Sequence, residues 1–260
     1  MSIRKTAVAG QFYEADTVSL QQQVGNLMSA VSSGLKSIPK ALIVPHAGYI
    51  YSGSIAARAY GCLESQRDQI RRVVLLGPAH RVFLDGMAVP SVDLFTTPLG
   101  DVPLDREAIE QITDMPGVSV SDQAHQDEHC LEVQLPFLQT LLTKFTLVPV
   151  VVGDCDPDRV AAVIDQLWGE SDTLVVISTD LSHFLSYEEA ELVDARTCSR
   201  ILEKASSLSG EEACGARALN GLMRSEQVRA LDIELLGACN SGDTAGNKDR
   251  VVGYGAFLLH

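Results

Sequence analysis

The chain lacks the features of several classes of protein. No apolar stretch approaches the roughly 18 residues that a membrane-spanning helix requires. The six cysteines form no Cys-x-x-Cys pair, which excludes a zinc ribbon and indicates free thiols in a reducing compartment. Basic residues are in deficit, 20 against 34 acidic ones, so the net charge is −14. We therefore predict that the main partners are neither nucleic acid nor an anionic membrane surface.

The chain also lacks sequence features that mark a domain boundary. Its 260 residues, 46% of them hydrophobic, contain no Pro/Gly/Ser-rich linker, low-complexity tract or internal repeat. The first residues contain no long apolar segment of the kind found in secretory signals. We predict a cytoplasmic protein that folds as one domain over residues 1–260.

Three apolar runs each end in a histidine. They are KALIVPHAGYIYSG, RRVVLLGPAHR and DTLVVISTDLSHF, with His46, His80 and His183. Each run is rich in Val, Ile and Leu without alternation, which is typical of strands buried on both faces of a parallel sheet. Because the carboxyl ends of such strands meet in one crevice, three histidines there indicate a site.

Strand-like runs alternate with amphipathic segments along the chain. This alternation predicts an α/β fold, with a mixed, mostly parallel sheet covered by helices on both faces. Two of the predicted helices bear on the site, because they cover residues 129–143 and 210–223. The first would carry a cluster of acidic and imidazole groups, and the second would carry a cysteine.

The histidine turns are rigid. His46 follows Pro45, and His80 ends a Gly-Pro-Ala-His turn. Any one of these histidines alone could bond a turn carbonyl, whereas three together favour a built site. Asp180 and His183 are three residues apart, so a helical turn would let the carboxylate orient the imidazole.

Other candidates remain open on sequence alone. His129 and Glu132 could face the crevice as proton carriers or as partners of ligands, or they could belong to an ordinary helix start. Asp127 and Glu128 are unremarkable at such a start, and His125 and His260, which belong to no histidine motif, are expected to be structural. Cys214 is either a core thiol or a ligand activated near a helix start.

Several motifs, in order along the chain, resemble those of the Memo family. They are AGQFYEAD, VPHAGYIYSG, LLGPAH, DEHCLEVQLPFL, VPVVVGD, STDLSHF, the Cys-Gly of EEACGA, and SGDTAGNKDRVVGYGAF. The resemblance runs from the first residues to the last. It implies a fold similar to that of class III extradiol dioxygenases, which bind non-haem iron in an α/β crevice.

The resemblance also implies a site. His46, His80 and Cys214 would form a metal-binding triad. The neighbours that would line or rim the same pocket are Asp180, His183, Tyr51, Phe12 and Tyr13. Phe12 stands where a eukaryotic member has tryptophan, and Gly237-Ala238-Cys239-Asn240 stands where many relatives have a tyrosine before Ser-Gly-Asp. Both departures would alter the pocket.

A thiolate in the third position would change the chemistry. It is softer than a carboxylate and suits copper(I), zinc or thiolate-ligated iron, with iron or copper expected here. We expect a metal-dependent redox protein in which His183 acts as general acid or base and Asp180 orients it. The resemblance implies a radical SAM enzyme and a small accessory protein as partners. The alternatives are a module that binds a metal, a small molecule or an anionic peptide, or a scaffold.

Overall fold

The computed structural model describes residues 1–31 and 39–260. The β-strands are β1 (Ile3–Arg4), β2 (Ala41–Val44), β3 (Arg72–Pro78), β4 (Met87–Val89), β5 (Leu94–Thr97), β6 (Gly100–Pro103), β7 (Val118–Val120), β8 (Thr146–Val152), β9 (Thr173–Ser178), β10 (His183–Leu185), β11 (Ile233–Asn240) and β12 (Val251–Leu259). The α-helices are α1 (Thr17–Ser29), α2 (Tyr49–Gly61), α3 (Arg106–Thr113), α4 (Asp122–Gln126), α5 (Leu135–Leu141), α6 (Pro157–Leu167), α7 (Tyr187–Leu202) and α8 (Ala216–Arg224).

One large mixed sheet forms the centre of the fold. Its strand order is β10-β12-β2-β9-β3-β8-β4-β7, with β11 also paired to β12. The four strands β2, β9, β3 and β8 run parallel, whereas β12 pairs antiparallel with β2, and β4 antiparallel with β8. The apolar runs of β2 and β9 are buried along their whole length, as expected for strands covered on both faces. The predicted α/β class with a mixed sheet is confirmed, and the parallel strands are the central ones.

The helices pack in two groups. Helices α1, α2 and α5 contact one another, and α2 contacts β2, β11 and β12. Helices α3, α6 and α8 form a second group, in which α8 lies against β3, while α7 lies against β11 and β12. A three-stranded sheet of β1, β5 and β6 adjoins β8 through β6. Within the described residues, no helix is long and apolar enough to cross a membrane.

Two helices are shorter than predicted, and both differences lie at the candidate site. The predicted helix at 129–143 is a short 3₁₀ turn at Glu132–Gln134 followed by α5. The Glu128 carboxylate accepts the backbone N–H groups of His129 and Cys130 in the turn before it. The predicted helix at 210–223 begins only at Ala216, so Cys214 lies in a turn before α8.

Asp105 connects the start of α3 to the first residue of β3. Its carboxylate accepts the Ala108 backbone N–H at the helix start and the Arg72 Nε–H at 2.8 Å. Burial acts to raise the pKa of Asp105, but the hydrogen bonds from Ala108 and Arg72 outweigh it and lower the pKa. The ionised form therefore stabilises the folded state.

We predict that Asp105→Ala lowers the free energy of unfolding at pH 7 by about 1–3 kcal/mol. Because the folded pKa is depressed, this stabilisation is present above the unfolded value near pH 4 and is lost as the pH falls through the folded pKa. Urea unfolding of both proteins between neutral and acidic pH should show the difference shrinking. Glu107→Ala, an exposed position in the same helix, is the control. A difference independent of pH would contradict the argument.

Candidate metal centre

Three adjacent parallel strands deliver the predicted residues to one edge of the sheet. His46 follows β2, Asp180 follows β9 and His80 follows β3, and β9 lies between the other two strands. The His46 backbone N–H donates to the Asp180 carboxylate at 2.7 Å. The expected convergence of strand ends is therefore observed for these residues.

Three imidazoles form a compact cluster. One ring nitrogen from each of His46, His80 and His129 lies within 4.8 Å of the others. The ring centroids are 5.1 Å apart for His46 and His80, 5.4 Å for His46 and His129, and 4.7 Å for His80 and His129. His46 is buried and His80 is exposed, so the cluster reaches from the interior to solvent. His129, a pocket candidate on sequence grounds, is a full member of it.

The carboxylate of Glu128 holds two of these histidines. It accepts the backbone N–H of His80 at 2.6 Å and the His80 Nδ1–H at 2.9 Å. It also accepts the backbone N–H groups of His129 and Cys130, while His129 Nδ1 lies 3.2 Å away without hydrogen-bond geometry. Burial acts to raise the pKa of Glu128, but its contacts with His129 and His80 hold the pKa well below the usual range. Sequence reasoning missed this role.

Ser178 decides the tautomer of His46. Its hydroxyl donates to the Cys130 carbonyl at 2.7 Å and accepts the Gln134 Nε2–H at 2.9 Å. The Gln134 amide is oriented because it also donates to the Pro45 carbonyl. A hydroxyl has one proton to give, so toward His46 Nδ1, 2.9 Å away, Ser178 must accept. The proton of neutral His46 is therefore on Nδ1, and Nε2 carries the free lone pair.

The same reasoning applies to His80. An ionised carboxylate only accepts, so the Nδ1 facing Glu128 carries a proton and Nε2 is free. Burial lowers the pKa of His46 well below its ordinary value, and the neighbouring His80 and His129 lower it further. His46 is therefore neutral at physiological pH, which is the form that binds metals.

Cys214 approaches His46 from its own turn. Its Sγ is 3.3 Å from His46 Nε2 and accepts the Asp180 backbone N–H at 3.3 Å. Gly215 permits this approach, because a Cβ there would lie 2.7 Å from Cβ of Thr179. Burial raises the pKa of the Cys214 thiol to about 12, with the charge of Asp180 acting in the same direction. The thiol touches His46 but is outside the compact group of three imidazoles.

Asp180 and His183 do not form the expected pair. The Asp180 carboxylate bonds the His46 backbone, and its second oxygen lies 3.9 Å from His46 Nε2. His183 Nδ1 instead lies 2.8 Å from the Leu181 carbonyl, so this backbone oxygen orients the ring. The turn after β9 is not helical, so residues three apart do not share a face there, as the prediction required. Burial raises the pKa of Asp180.

Two predicted pocket residues lie in the core instead. Glu132 is fully buried, pairs with Arg4 and accepts the Tyr13 hydroxyl at 2.6 Å. Its oxygens also accept the backbone N–H groups of Ala7 and Val8. This network ties the start of the chain to the turn after Glu128, and it leaves neither Glu132 nor Tyr13 at a pocket rim.

The other two aromatic candidates lie near the surface. The Phe12 ring is 4.9 Å from the His129 ring, and the Phe12 carbonyl accepts the Tyr49 N–H. Tyr51 is partly exposed in the first turn of α2, beside Gly48. His125, expected to be structural, is buried and has Nε2 3.0 Å from the Ala88 carbonyl.

A small cavity adjoins the cluster on the Cys214 side. Its volume is about 200 Å³, and its lining includes Pro78, Ala79, Phe83, Cys214 and Arg217. A larger cavity of about 1010 Å³ lies between α1 and α2. Neither described lining contains a clustered histidine, but the lining of the smaller cavity includes Cys214, so the smaller cavity is the one beside the candidate site.

Known proteins resemble this chain along nearly its whole length. A family profile described as Memo-like protein matches residues 4–258. The chain belongs to the Memo family. A MEMO1 family protein of Aquifex aeolicus is 36% identical over 98% of both chains. A MEMO1 family protein of Sulfolobus acidocaldarius is 32% identical over 97% of both chains. A MEMO1 family protein of Methanosarcina barkeri is also 32% identical, and the match covers 99% of this chain and 100% of that protein.

One solved structure has a distant likeness to this member of the Memo family. An uncharacterised protein of Escherichia coli K12 aligns with a TM-score of 0.48 and 12% identity, covering 84% of this chain and 99% of the other. A likeness this distant carries no argument about the site.

We predict that Glu128→Gln weakens metal binding by about 10–100-fold, as loss of a carboxylate partner does for ligating histidines. Glu132→Gln is the matched control, since it removes a buried charge four residues away that does not touch the imidazoles. It should leave metal affinity unchanged while costing about 3–5 kcal/mol of stability through the unpaired Arg4. Chelator competition with zinc and thermal melting measure the two quantities. Equal metal affinities in the two variants would contradict the role of Glu128.

Proposed function

We propose that this protein binds a redox-active metal, iron or copper, at His46, His80 and Cys214 and acts on a small molecule. The observation that carries the proposal is the cluster of three imidazoles within 4.8 Å. Neighbouring groups assign the Nδ1 proton of two of them and leave Nε2 free. Family membership supports the proposal, because the resemblance implied a metal at these positions.

The donor set fits a metal. Neutral imidazole and thiolate are ligands of copper, zinc and iron, and the His46 Nε2 to Cys214 Sγ distance of 3.3 Å suits adjacent ligands of one ion. The Glu128 carboxylate behind His80 is the usual partner of a ligating histidine. His129 lies within the same 4.8 Å and is the candidate for a further ligand. Zinc also fits these donors.

An iron or copper ion bound there would supply redox chemistry and Lewis acidity. The chain's own groups supply proton handling. Asp180, whose pKa is raised by burial, can hold a proton on the oxygen that lies 3.9 Å from His46 Nε2. His183 carries its Nδ1 proton toward the Leu181 carbonyl, so its Nε2 can accept a proton from a bound molecule. We propose these two as the acid–base residues.

The proposed partner proteins follow from the same family resemblance. A radical SAM enzyme and a small accessory protein would supply or consume the substrate. A non-catalytic module that binds a metal or an anionic peptide is the alternative function. Anaerobic purification followed by elemental analysis and oxygen-consumption measurements separates the two, because the absence of oxygen uptake, with or without bound metal, would favour the binding module.

We predict that Cys214→Ser weakens copper(I) binding strongly, because a hydroxyl is a poor substitute for a thiolate ligand. The loss of affinity should exceed the about 10–100-fold that follows when only the hydrogen-bond partner of a ligand is removed. Its melting temperature should change little, since a serine hydroxyl there can accept the Asp180 backbone N–H that the sulfur accepts. The matched control is Cys198→Ser in α7, a buried thiol away from the cluster. It should keep metal stoichiometry and lose about 1–3 kcal/mol of stability, because it buries a hydroxyl without a partner.

His129→Asn tests which group is the third ligand. If Cys214→Ser keeps the metal and His129→Asn loses it, the third ligand is the His129 imidazole and not the Cys214 thiol. Loss of metal in neither variant would reject a metal site at this cluster.

A further inference from the structure

The cavity of about 200 Å³ beside Cys214 lies where two parallel strands and a helix meet. Its lining includes Pro78 at the end of β3, Val152 at the end of β8 and Ala218 in the first turn of α8. Open α/β sheets bind their ligands in this position, outside the carboxyl ends of parallel strands. The position of the cavity is therefore that of a ligand site.

Backbone hydrogen bonds hold the walls of this cavity. The Ala79 N–H donates to the Val152 carbonyl at 3.0 Å, and the Asp154 N–H donates to the Leu84 carbonyl at 2.8 Å. Gly153 permits the second contact, because a Cβ there would lie 2.0 Å from the Leu84 carbonyl oxygen. All five residues line the cavity. Its shape is thus fixed before a ligand arrives, which lowers the entropic cost of binding.

The cavity borders the imidazole cluster directly. Cys214, which is part of its lining, has its Sγ 3.3 Å from His46 Nε2. Ala79, also in the lining, is the residue directly before His80. A molecule in the cavity would therefore contact one proposed metal ligand, Cys214, and would lie beside the turn that carries another.

One wall of the cavity carries two opposite charges. Arg217 and Asp154 both line it, and the Arg217 Nη2–H donates to Asp154 Oδ1 at 2.7 Å. Within the described residues, the guanidinium has no other partner and Asp154 Oδ2 accepts no hydrogen bond. The two side chains are 53% and 67% exposed, so the pair itself stabilises the fold little. The other N–H donors of Arg217 and one oxygen of Asp154 therefore remain available beside the cavity.

The start of α8 adds donors beside Arg217. This nine-residue helix begins after Gly215 without a side-chain cap. Arg217 and Ala218, in its first turn, line the cavity. The backbone N–H groups of a first helical turn have no partner within the helix, and the helix dipole makes this end attractive to an anion. A carboxylate is therefore favoured at Arg217.

The remaining lining is largely apolar, and the cavity is small. Phe83 is 91% exposed, so a ligand against it would cover a ring that the fold leaves in water. The volume of about 200 Å³ is below the roughly 300–1,000 Å³ of pockets for drug-sized ligands. The ligand should therefore be small, with a short aliphatic part. The apolar lining residues at this end of the sheet are Pro78, Val82, Phe83, Leu84 and Ala218.

We propose that this cavity binds a small aliphatic amino acid, with its carboxylate on Arg217, its ammonium group on Asp154 and its side chain against Phe83. The inference rests on the proposed function and names the substrate class of the same site. A simple carboxylate would be repelled by Asp154 and a simple amine by Arg217, whereas a zwitterion presents the opposite charge to each. The two charged groups of an α-amino acid are separated by one carbon atom, which suits charges that contact each other in the lining.

The binding test compares L-leucine with isocaproate, which lacks the ammonium group, and isoamylamine, which lacks the carboxylate. The full-length protein is first freed of metal with a chelator, so that leucine cannot bind as a ligand of an ion. Calorimetric titration should show saturable binding of leucine and at least about tenfold weaker binding of each analogue, the loss expected for one charge-assisted hydrogen bond. In NMR spectra, leucine should shift the backbone amide signals of Ala79, Gly153 and Ala218, and not those of Ile50 and Gly61 in the larger cavity.

Two variants separate the two charges. Arg217→Gln should weaken leucine binding by about tenfold without weakening isoamylamine binding, because the guanidinium holds only the carboxylate. Asp154→Asn should weaken leucine binding by about tenfold without weakening isocaproate binding. Because the pair is exposed, both variants should melt close to the wild type.

Arg224→Gln is the matched control. Arg224 lies in the same helix and donates to Asp158 at 2.9 Å, but it is not among the residues described as lining the cavity. This variant should keep the leucine affinity of the wild type. Equal loss of affinity in Arg224→Gln and Arg217→Gln would overturn the proposal, because it would show an unspecific effect of charge.

Further results would also overturn it. They are the absence of saturable leucine binding by the wild type, an analogue that binds as tightly as leucine, wild-type leucine affinity in Arg217→Gln or Asp154→Asn, and amide shifts confined to the larger cavity. Binding of copper(I) and iron(II) is measured on the same proteins. Metal binding without leucine binding rejects this inference alone, whereas leucine binding without metal binding rejects the proposed metal function alone.

Discussion

The buried carboxylate of Glu128 is the interaction on which the candidate site depends. A charge removed from water is tolerable only if hydrogen bonds replace its hydration. Here the backbone N–H groups of His80, His129 and Cys130 and the ring of His80 supply them. One anion thus joins the turn after β3 to the turn before α5, and it presents two imidazoles to a third one from another strand.

The strand ends could be predicted from sequence, and their polar partners could not. The apolar runs of β2, β3 and β9 are local patterns, and the parallel sheet places their carboxyl ends together. The contact of Glu128 with His80 spans 48 residues, and that of Ser178 with His46 spans 132. No local pattern reports such contacts. The signal that could have found Glu128 was its place directly before His129, in a segment that resembles a family motif.

Some expected positions differ from those in the structure. Glu132 and Tyr13 look like pocket residues beside a histidine motif, but Arg4 offers Glu132 a buried cation and several backbone N–H groups complete the network. His129 was expected on a helix, whereas the regular helix α5 begins only at Leu135. For Glu132, polar partners from a distant part of the chain outweighed the local pattern.

The position of Cys214 has a consequence for how the protein is made. Its sulfur meets His46 across 168 residues of chain, through a turn that lies against the end of β9. Strand β12, which pairs with β2, is synthesised later still. The proposed ligand set of His46, His80 and Cys214 is therefore complete only after most of the chain has been synthesised. Under the proposed function, a metal that needs all three ligands would be loaded late, when its supply and delivery govern occupancy.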